Sequence, residues 1–261
     1  MLRPLLRPRS LPKSIKLPPS CALSTKPDIT LYTWGTPNGI KASITLEELS
    51  LPYKVFPIDI STNIQKEKWF LDINPNGRIP AITDGTQRVF ESGAIMLYLT
   101  DRYDIRRTLS YERGTPESIE LLSWLMFQMG GIGPMQGQAN HFRVYANVRS
   151  DYGIKRYIDE TRRLYSVLDS RLAKSAYLAG SKYTIADIAN FAWVRSGPVA
   201  LEIGLEEWPA LAKWVAEIEA RDAVKKGVVV PYREGNSPEQ VAERFKGLRA
   251  RMDALGNTDK H

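Results

Sequence analysis

Two short runs hold the residue types best suited to chemistry. The first, Asn74-Pro75-Asn76-Gly77-Arg78-Ile79-Pro80, ends in an Ile-Pro step; the second, Glu91-Ser92-Gly93-Ala94-Ile95, follows a little later. Alone, Asn-Pro-Asn-Gly is an ordinary turn signal, and Ser92 alone is an ordinary N-cap. Their order says more. A strand over Ile79 to Thr83, a turn at Asp84-Gly85 and a weak strand over Arg88 to Phe90 lead into Glu-Ser-Gly and the helical run Ala94 to Tyr103. A helix opening at Glu91-Ser92 presents free N–H groups and the positive end of its dipole, an arrangement that favours a carboxylate. A third run, Thr36-Pro37-Asn38-Gly39, turns a strand into another helix and adds a hydroxyl and an amide.

Cysteine usage limits what else can react. Cys21 is the only cysteine, and it lies in an N-terminal tail. The body of the chain therefore has no disulfide, no zinc-thiolate site and no thiol nucleophile of its own. Sulfur chemistry, if there is any, must arrive with a second molecule, and no metal is expected. The net charge of +7 hints at nucleic acid, but its location argues otherwise. Arg3, Arg7, Arg9, Lys13, Lys16 and Lys26 stand in residues 1–27 without an acid; six of the 36 bases are there, which leaves 30 against 29 acids. A nearly neutral body with no zinc-finger or similar motif excludes a nucleic-acid partner. No apolar run reaches the roughly 20 residues of a membrane span, so no membrane insertion is expected. The Arg-, Ser- and Pro-rich tail reads either as a cleavable mitochondrial presequence or as a disordered basic tail. Its prolines oppose the helix that such a presequence forms. The expected location is intracellular, cytoplasmic or mitochondrial.

These runs need elements to position them. Ile29 to Thr33 reads as a strand, and the following helix has Ile40, Ile44, Leu46 and Leu49 spaced for burial. With a strand over Lys54 to Ile58 and a short helix near Lys66 to Asp72, the order becomes β-α-β-α-β-β-α, which is thioredoxin-like. From Thr115 onward helical periodicity takes over. Ile119, Leu122, Met126 and Met129 form one expected face; Tyr157, Leu164, Val167 and Leu168 mark a second helix; Leu211, Trp214, Val215 and Ile218 mark a third. Thr184-Ile185-Ala186-Asp187 has capping-box spacing and a structural role. Val241, Phe245, Leu248, Met252 and Leu255 repeat at helical spacing; that helix either packs on its own domain or serves as a partner- or membrane-binding face. The expected units are residues 28–104 and 115–230, with flanking segments 1–27 and 231–261.

Taken together, the runs resemble glutathione transferases, most closely the bacterial Nu-class and fungal nitrogen-regulator-like branches. Gly130-Gly131-Ile132-Gly133-Pro134-Met135-Gln136-Gly137-Gln138 and His141-Phe142 add to the match, which covers roughly residues 28 to 230. The resemblance implies a thioredoxin-like N-terminal domain, an all-helical C-terminal domain, a homodimer, and glutathione as cosubstrate. It also implies a cis Ile79-Pro80 bond, with the Ile79 backbone pairing with the cysteine of the tripeptide. Glu91 would meet the γ-glutamyl ammonium, Ser92 its carboxylate and Gln65 the glycyl end, with Arg156 nearby. Asn38 would donate to the thiolate, with Thr36 beside it; Tyr32 is the alternative of the tyrosine-type enzymes. Pro134, Met135, Phe142 and Tyr145 are candidates for the pocket of the second substrate, an electrophile or a disulfide. The implied activities are conjugation and thiol-disulfide exchange, and a non-catalytic glutathione-binding regulator of the same fold is the alternative.

Overall fold

The computed structural model describes residues 26–231 and 238–255. The readings for Cys21 and for the tail through residue 25 lie outside the described residues. The first part runs β1 (Ile29–Thr33), α1 (Pro37–Glu48), β2 (Tyr53–Pro57), two 3₁₀ turns, α2 (Lys68–Leu71), β3 (Ala81–Asp84), β4 (Gln87–Phe90) and α3 (Ser92–Tyr103). The sheet order is β2-β1-β3-β4, with β1 parallel to β2 and antiparallel to β3. This is the thioredoxin-like arrangement, with α1 supplying the crossover that parallel neighbours require.

The two faces of β1 are covered unequally. Ile29 and Leu31 are buried with Ala42 and Leu46 of α1 and Ile95 and Leu99 of α3. Tyr32 points to the other face, where α2 is a single turn. It is half-buried and packs on Phe56, Trp69 and Phe70 with ring centroids 5.6–6.3 Å apart. A central strand with a parallel neighbour is usually covered on both sides; here one turn of helix is too short to do so. At the end of β1, a Cβ on Gly39 would sit 2.2 Å from the Trp34 carbonyl oxygen. Only glycine allows α1 to start so close to the strand, and this approach fixes Thr36 and Asn38 at the C-terminal end of β1.

The second part is helical: α4 (Pro116–Phe127), a π turn (Gln128–Ile132), α5 (Gly133–Asn140), a second π turn (His141–Tyr145), α6 (Asp151–Leu172), α7 (Ile185–Val194), α8 (Gly197–Leu201), α9 (Pro209–Glu219), α10 (Asp222–Gly227) and α11 (Pro238–Asp253). Every residue of α7 is buried, as its apolar composition dictates. Its start is the capping box: Asp187 accepts from the Thr184 N–H (2.9 Å), the Leu178 N–H (2.9 Å) and the Trp214 indole (3.1 Å). The expected face of α4 is corrected. Leu121 and Leu125 are the buried pair, whereas Ile119, Leu122 and Met126 are exposed. The helix is apolar on two sides, so spacing alone did not select the inner one. In α11, Met252 is buried, Phe245 packs against the helical core, and Arg249 donates to the Val199 carbonyl at 2.6 Å. That helix lies on its own helical domain.

The two parts meet along α1, which packs on α3, α7 and α10. A Cβ on Gly227 would fall 2.7 Å from the Ile44 backbone, so α10 and α1 touch almost main chain to main chain. Arg221 spans the same junction, donating to both Glu48 oxygens at 2.6 and 2.8 Å.

Candidate functional site

A cleft of about 600 Å³ opens where the end of β1, the segment before β3 and the start of α3 face the helical part. Thr36, Asn38, Gln65, Ile79, Glu91 and Ser92 all line it, so six of the residues singled out from the sequence converge although they span more than fifty positions. A second cavity of about 320 Å³ shares Asn38, Glu91, Met129, Pro134 and Trp193 with it and extends to Lys41 and Gln128.

Backbone accounting marks the first feature. The Ile79-Pro80 peptide is cis. Neither the N–H nor the C=O of Ile79 has a partner among the described residues, although the Asn74 side chain ties down the preceding Arg78 carbonyl at 2.7 Å. An unpaired donor and acceptor in a cleft can pair with an extended peptide as a strand would. Gln65 adds a second opening. Its Nε2 donates to the Ile60 carbonyl at 3.2 Å, while its buried Oε1 has no protein partner. The residue as placed offers an acceptor for an amide N–H.

Glu91 and Ser92 form the start of α3. Glu91 adopts φ 69° and ψ 122°, a left-handed value outside the usual αL well for a non-glycine residue. Such backbone strain costs on the order of 1–3 kcal/mol and persists where surrounding structure enforces it. Here it sets the start of α3 against the cleft, which Glu91 and Ser92 both line, while the Ser92 hydroxyl donates to Met129 Sδ at 3.7 Å. Asn76 reaches across to Glu91 Oε1 at 3.4 Å.

Asn38 is oriented from the helical part. The Trp193 indole N–H donates to Asn38 Oδ1 at 2.9 Å. An indole is only a donor, so the amide must present its oxygen to Trp193 and its NH₂ to the cleft. Trp193 is held in turn: Gln136 Nε2 donates to its carbonyl at 2.9 Å, and the fully buried Tyr165 hydroxyl donates to Gln136 Oε1 at 2.9 Å. Beside Asn38, the Thr36 oxygen accepts from the Gly39 N–H at 3.1 Å, which leaves its own hydrogen to point elsewhere. Tyr32 does not line the cleft.

Below Ser92 lies a residue that the sequence did not flag. Lys41, fully buried on α1, donates to Ser92 Oγ at 3.3 Å and to Gln128 Oε1, with Met129 Sδ at 3.8 Å. Burial pushes its ammonium down to about 7, opposed in part by the negative charge of Glu91.

Arg156 is not brought to this cleft. It is exposed on α6 and lines a separate cavity with Met135, Lys155, Asp159 and Arg163. The reason is helical phase: Leu164 and Leu168 take the inward face of α6 and turn these charges outward. Of the second-pocket candidates, only Pro134 lines the cleft. Phe142 is stacked on Tyr157 at 5.5 Å, and Tyr145 lies against Phe245 at 6.4 Å. Besides Lys41 and Trp193, the structure adds Arg78 at the rim, exposed and without an ion pair among the described residues. Its place within Asn74 to Pro80 was the available signal. Among the described residues no helix is long and apolar enough to cross a membrane.

Comparison with known proteins shows the family. The family model described as glutathione S-transferase, N-terminal domain, matches residues 27–101, and the one described as glutathione S-transferase, C-terminal domain, matches residues 154–222. The chain is 41% identical over 208 residues to the disulfide-bond oxidoreductase YfcG of Escherichia coli, covering 77% of this chain and 94% of that one. It is 37% identical to the glutathione S-transferase-like protein gedE of Aspergillus terreus, covering 76% and 93%. A glutathione transferase homolog from Lodderomyces elongisporus, solved with two GSH per subunit, superposes with a TM-score of 0.76 at 44% identity, covering 78% and 99%.

Proposed function

Because the chain belongs to the glutathione S-transferase family, we propose that it binds glutathione in the cleft and turns the bound thiolate on a disulfide. The observation that carries this reading is the Asn38 amide, locked by Trp193 with its NH₂ toward the cleft. A free thiol titrates at about 8.5, and lowering that by about two units takes about 2.7 kcal/mol. A hydrogen bond to a charged acceptor contributes about 1.5–3 kcal/mol and a helix N-terminus about 0.3–1 kcal/mol. One untitratable amide donor near the start of α1, with Thr36 beside it, is therefore enough.

The rest of the cleft fits the tripeptide. The unpaired Ile79 backbone takes the cysteinyl N–H and C=O, the orphaned Gln65 oxygen takes the glycyl N–H, and Arg78 takes the glycyl carboxylate. Glu91 meets the γ-glutamyl ammonium; Ser92 and the first N–H groups of α3 meet its carboxylate. In the reaction, the thiolate attacks one sulfur of a disulfide, an S–S bond forms to glutathione, and the other sulfur leaves as a thiolate that takes a proton from solvent. The name of the Escherichia coli relative and the two glutathione molecules in the Lodderomyces structure favour this exchange. Conjugation to an electrophilic carbon is the second reading, supported by the transferase-like Aspergillus relative.

The exposed Ile119, Leu122 and Met126 of α4 support assembly as a homodimer across that face. Leu122→Glu should then convert a dimer to a monomer in analytical ultracentrifugation. Function is tested by paired assays with glutathione, one using a small mixed disulfide and one a chlorinated nitroarene. Faster turnover of the disulfide supports the proposal. Turnover of neither, with glutathione still bound in calorimetry, would replace it with a glutathione-binding regulator.

A further inference from the structure

Among the described residues Lys41 is a fully buried cation that the chemistry above leaves without a task. Its ammonium nitrogen sits beneath the γ-glutamyl subsite, touching only neutral groups: the Ser92 hydroxyl, the Gln128 amide oxygen and the Met129 sulfur. The residue is fully buried, yet it lines the 320 Å³ cavity that adjoins the cleft. We propose that Lys41 is a positioning residue that takes up a proton when glutathione binds and thereby turns the Ser92 hydroxyl into a donor for the γ-glutamyl carboxylate.

The charge on Lys41 decides which way the Ser92 hydrogen can point. An uncharged amine has a lone pair that can accept from Ser92, which would direct the single serine hydrogen down, away from the cleft. An ammonium has no lone pair. Once protonated, Lys41 can only donate, so Ser92 Oγ must accept, and its hydrogen turns from Lys41 to either Met129 Sδ, a weak acceptor at 3.7 Å, or a carboxylate in the cleft, the stronger acceptor of the two. Burial keeps the unliganded amine titrating at about 7 instead of 10.5. A carboxylate on Ser92 would lie directly above the ammonium, and an opposite charge within roughly 4–6 Å favours the charged form. The ligand's own ammonium is drawn to Glu91, the residue before Ser92, whereas Ser92 itself is the residue that Lys41 touches.

No other charge nearby competes for this role. Glu91 at the start of α3 is the single charge acting appreciably on Lys41. Asp101 and Arg102 stand at the far end of α3, and Arg102 pairs with Asp84. Glu47 and Glu48 of α1 itself hold Tyr53 and Arg221. On α7 the only charge is Asp187, whose oxygens are engaged by Leu178, Thr184 and Trp214. On α10, Asp222, Lys225 and Lys226 are exposed. The π turn and α5 bring no charged residue.

The inference rests on the proposed glutathione site, and the test separates the two. S-methylglutathione keeps the γ-glutamyl group and has no thiol proton to release. Its binding is measured by calorimetry in two buffers of different ionisation enthalpy at about pH 7.5, where a group titrating at about 7 is mostly neutral. The wild type should take up more than about half a proton per ligand, and the uptake should vanish toward about pH 6, where Lys41 is already charged. Lys41→Met fills the same space without burying a charge and should fold. It should bind roughly tenfold more weakly with no proton uptake, a tenfold change being one pKa unit in free-energy terms. Wild-type uptake with the stated pH profile supports the proposal even if that variant does not fold. Binding by the wild type without proton uptake, or equal uptake in Lys41→Met, overturns it. Failure of the wild type to bind overturns the glutathione reading as well.

Discussion

Asn38 is fixed on one side by an indole donor and open on the other, and its chemistry follows from that asymmetry. Trp193→Phe removes the anchor and leaves the amide free to rotate. The apparent pKa of bound glutathione should rise by about half a unit or more, on the order of the 1 kcal/mol that one hydrogen bond contributes. Thiolate absorbance against pH measures it, with unfolding curves to show that the fold is kept. Ser92→Ala should weaken glutathione binding by about 1–3 kcal/mol in calorimetry; unchanged affinity would reduce Ser92 to an internal partner of Lys41 and Met129. Asn38, Ser92 and Glu91 were legible in the sequence because each belongs to a short run whose order has meaning. Trp193 and Lys41 were not. Trp193 reaches Asn38 from 155 positions away, and a lysine within an amphipathic helix reads as solvated until a polar partner from another domain covers it.

The capping box at α7 is the element on which Trp193 depends. Burial pushes the Asp187 carboxyl up to about 6, opposed by the hydrogen bonds from Leu178, Thr184 and Trp214. Asp187→Ala strands several buried donors at once, so it should cost roughly 2–4 kcal/mol of stability, read from urea unfolding. An unchanged midpoint would contradict the account of this helix start. Element order was readable for the sheet part, since Ile29 to Thr33 alternates β-branched and aromatic residues and Thr36-Pro37-Asn38-Gly39 signals the turn into α1. The outward face of α4 was misassigned because Ile119, Leu122 and Met126 have the same spacing as a core face. The phase of α6, which turns Arg156 away from the cleft, likewise depends on which apolar stripe the neighbouring helices cover.

At the scale of the molecule, the two parts share α1, and Lys41 places a cation at their junction. Its folded pKa lies below the unfolded value of 10.5, so between about 7 and 10.5 the unfolded chain binds the extra proton. Stability from this group therefore rises with pH across that window, and the full penalty applies below it. Unliganded Lys41→Met should be more stable than the wild type by about 1–4 kcal/mol near neutrality, and the gap should close toward pH 10.5. Urea titrations of both proteins at several pH values would show it. The central claim concerns the cleft between the two parts: that the Asn38 amide, and no titrating residue, holds the glutathione thiolate. Its most direct measurement is thiolate absorbance of the glutathione complex against pH for the wild type, Asn38→Ala and Tyr32→Phe. The account predicts an upward shift of about one unit or more in Asn38→Ala, equivalent to about 1.4 kcal/mol, and almost none in Tyr32→Phe. A large shift in Tyr32→Phe with none in Asn38→Ala would contradict it.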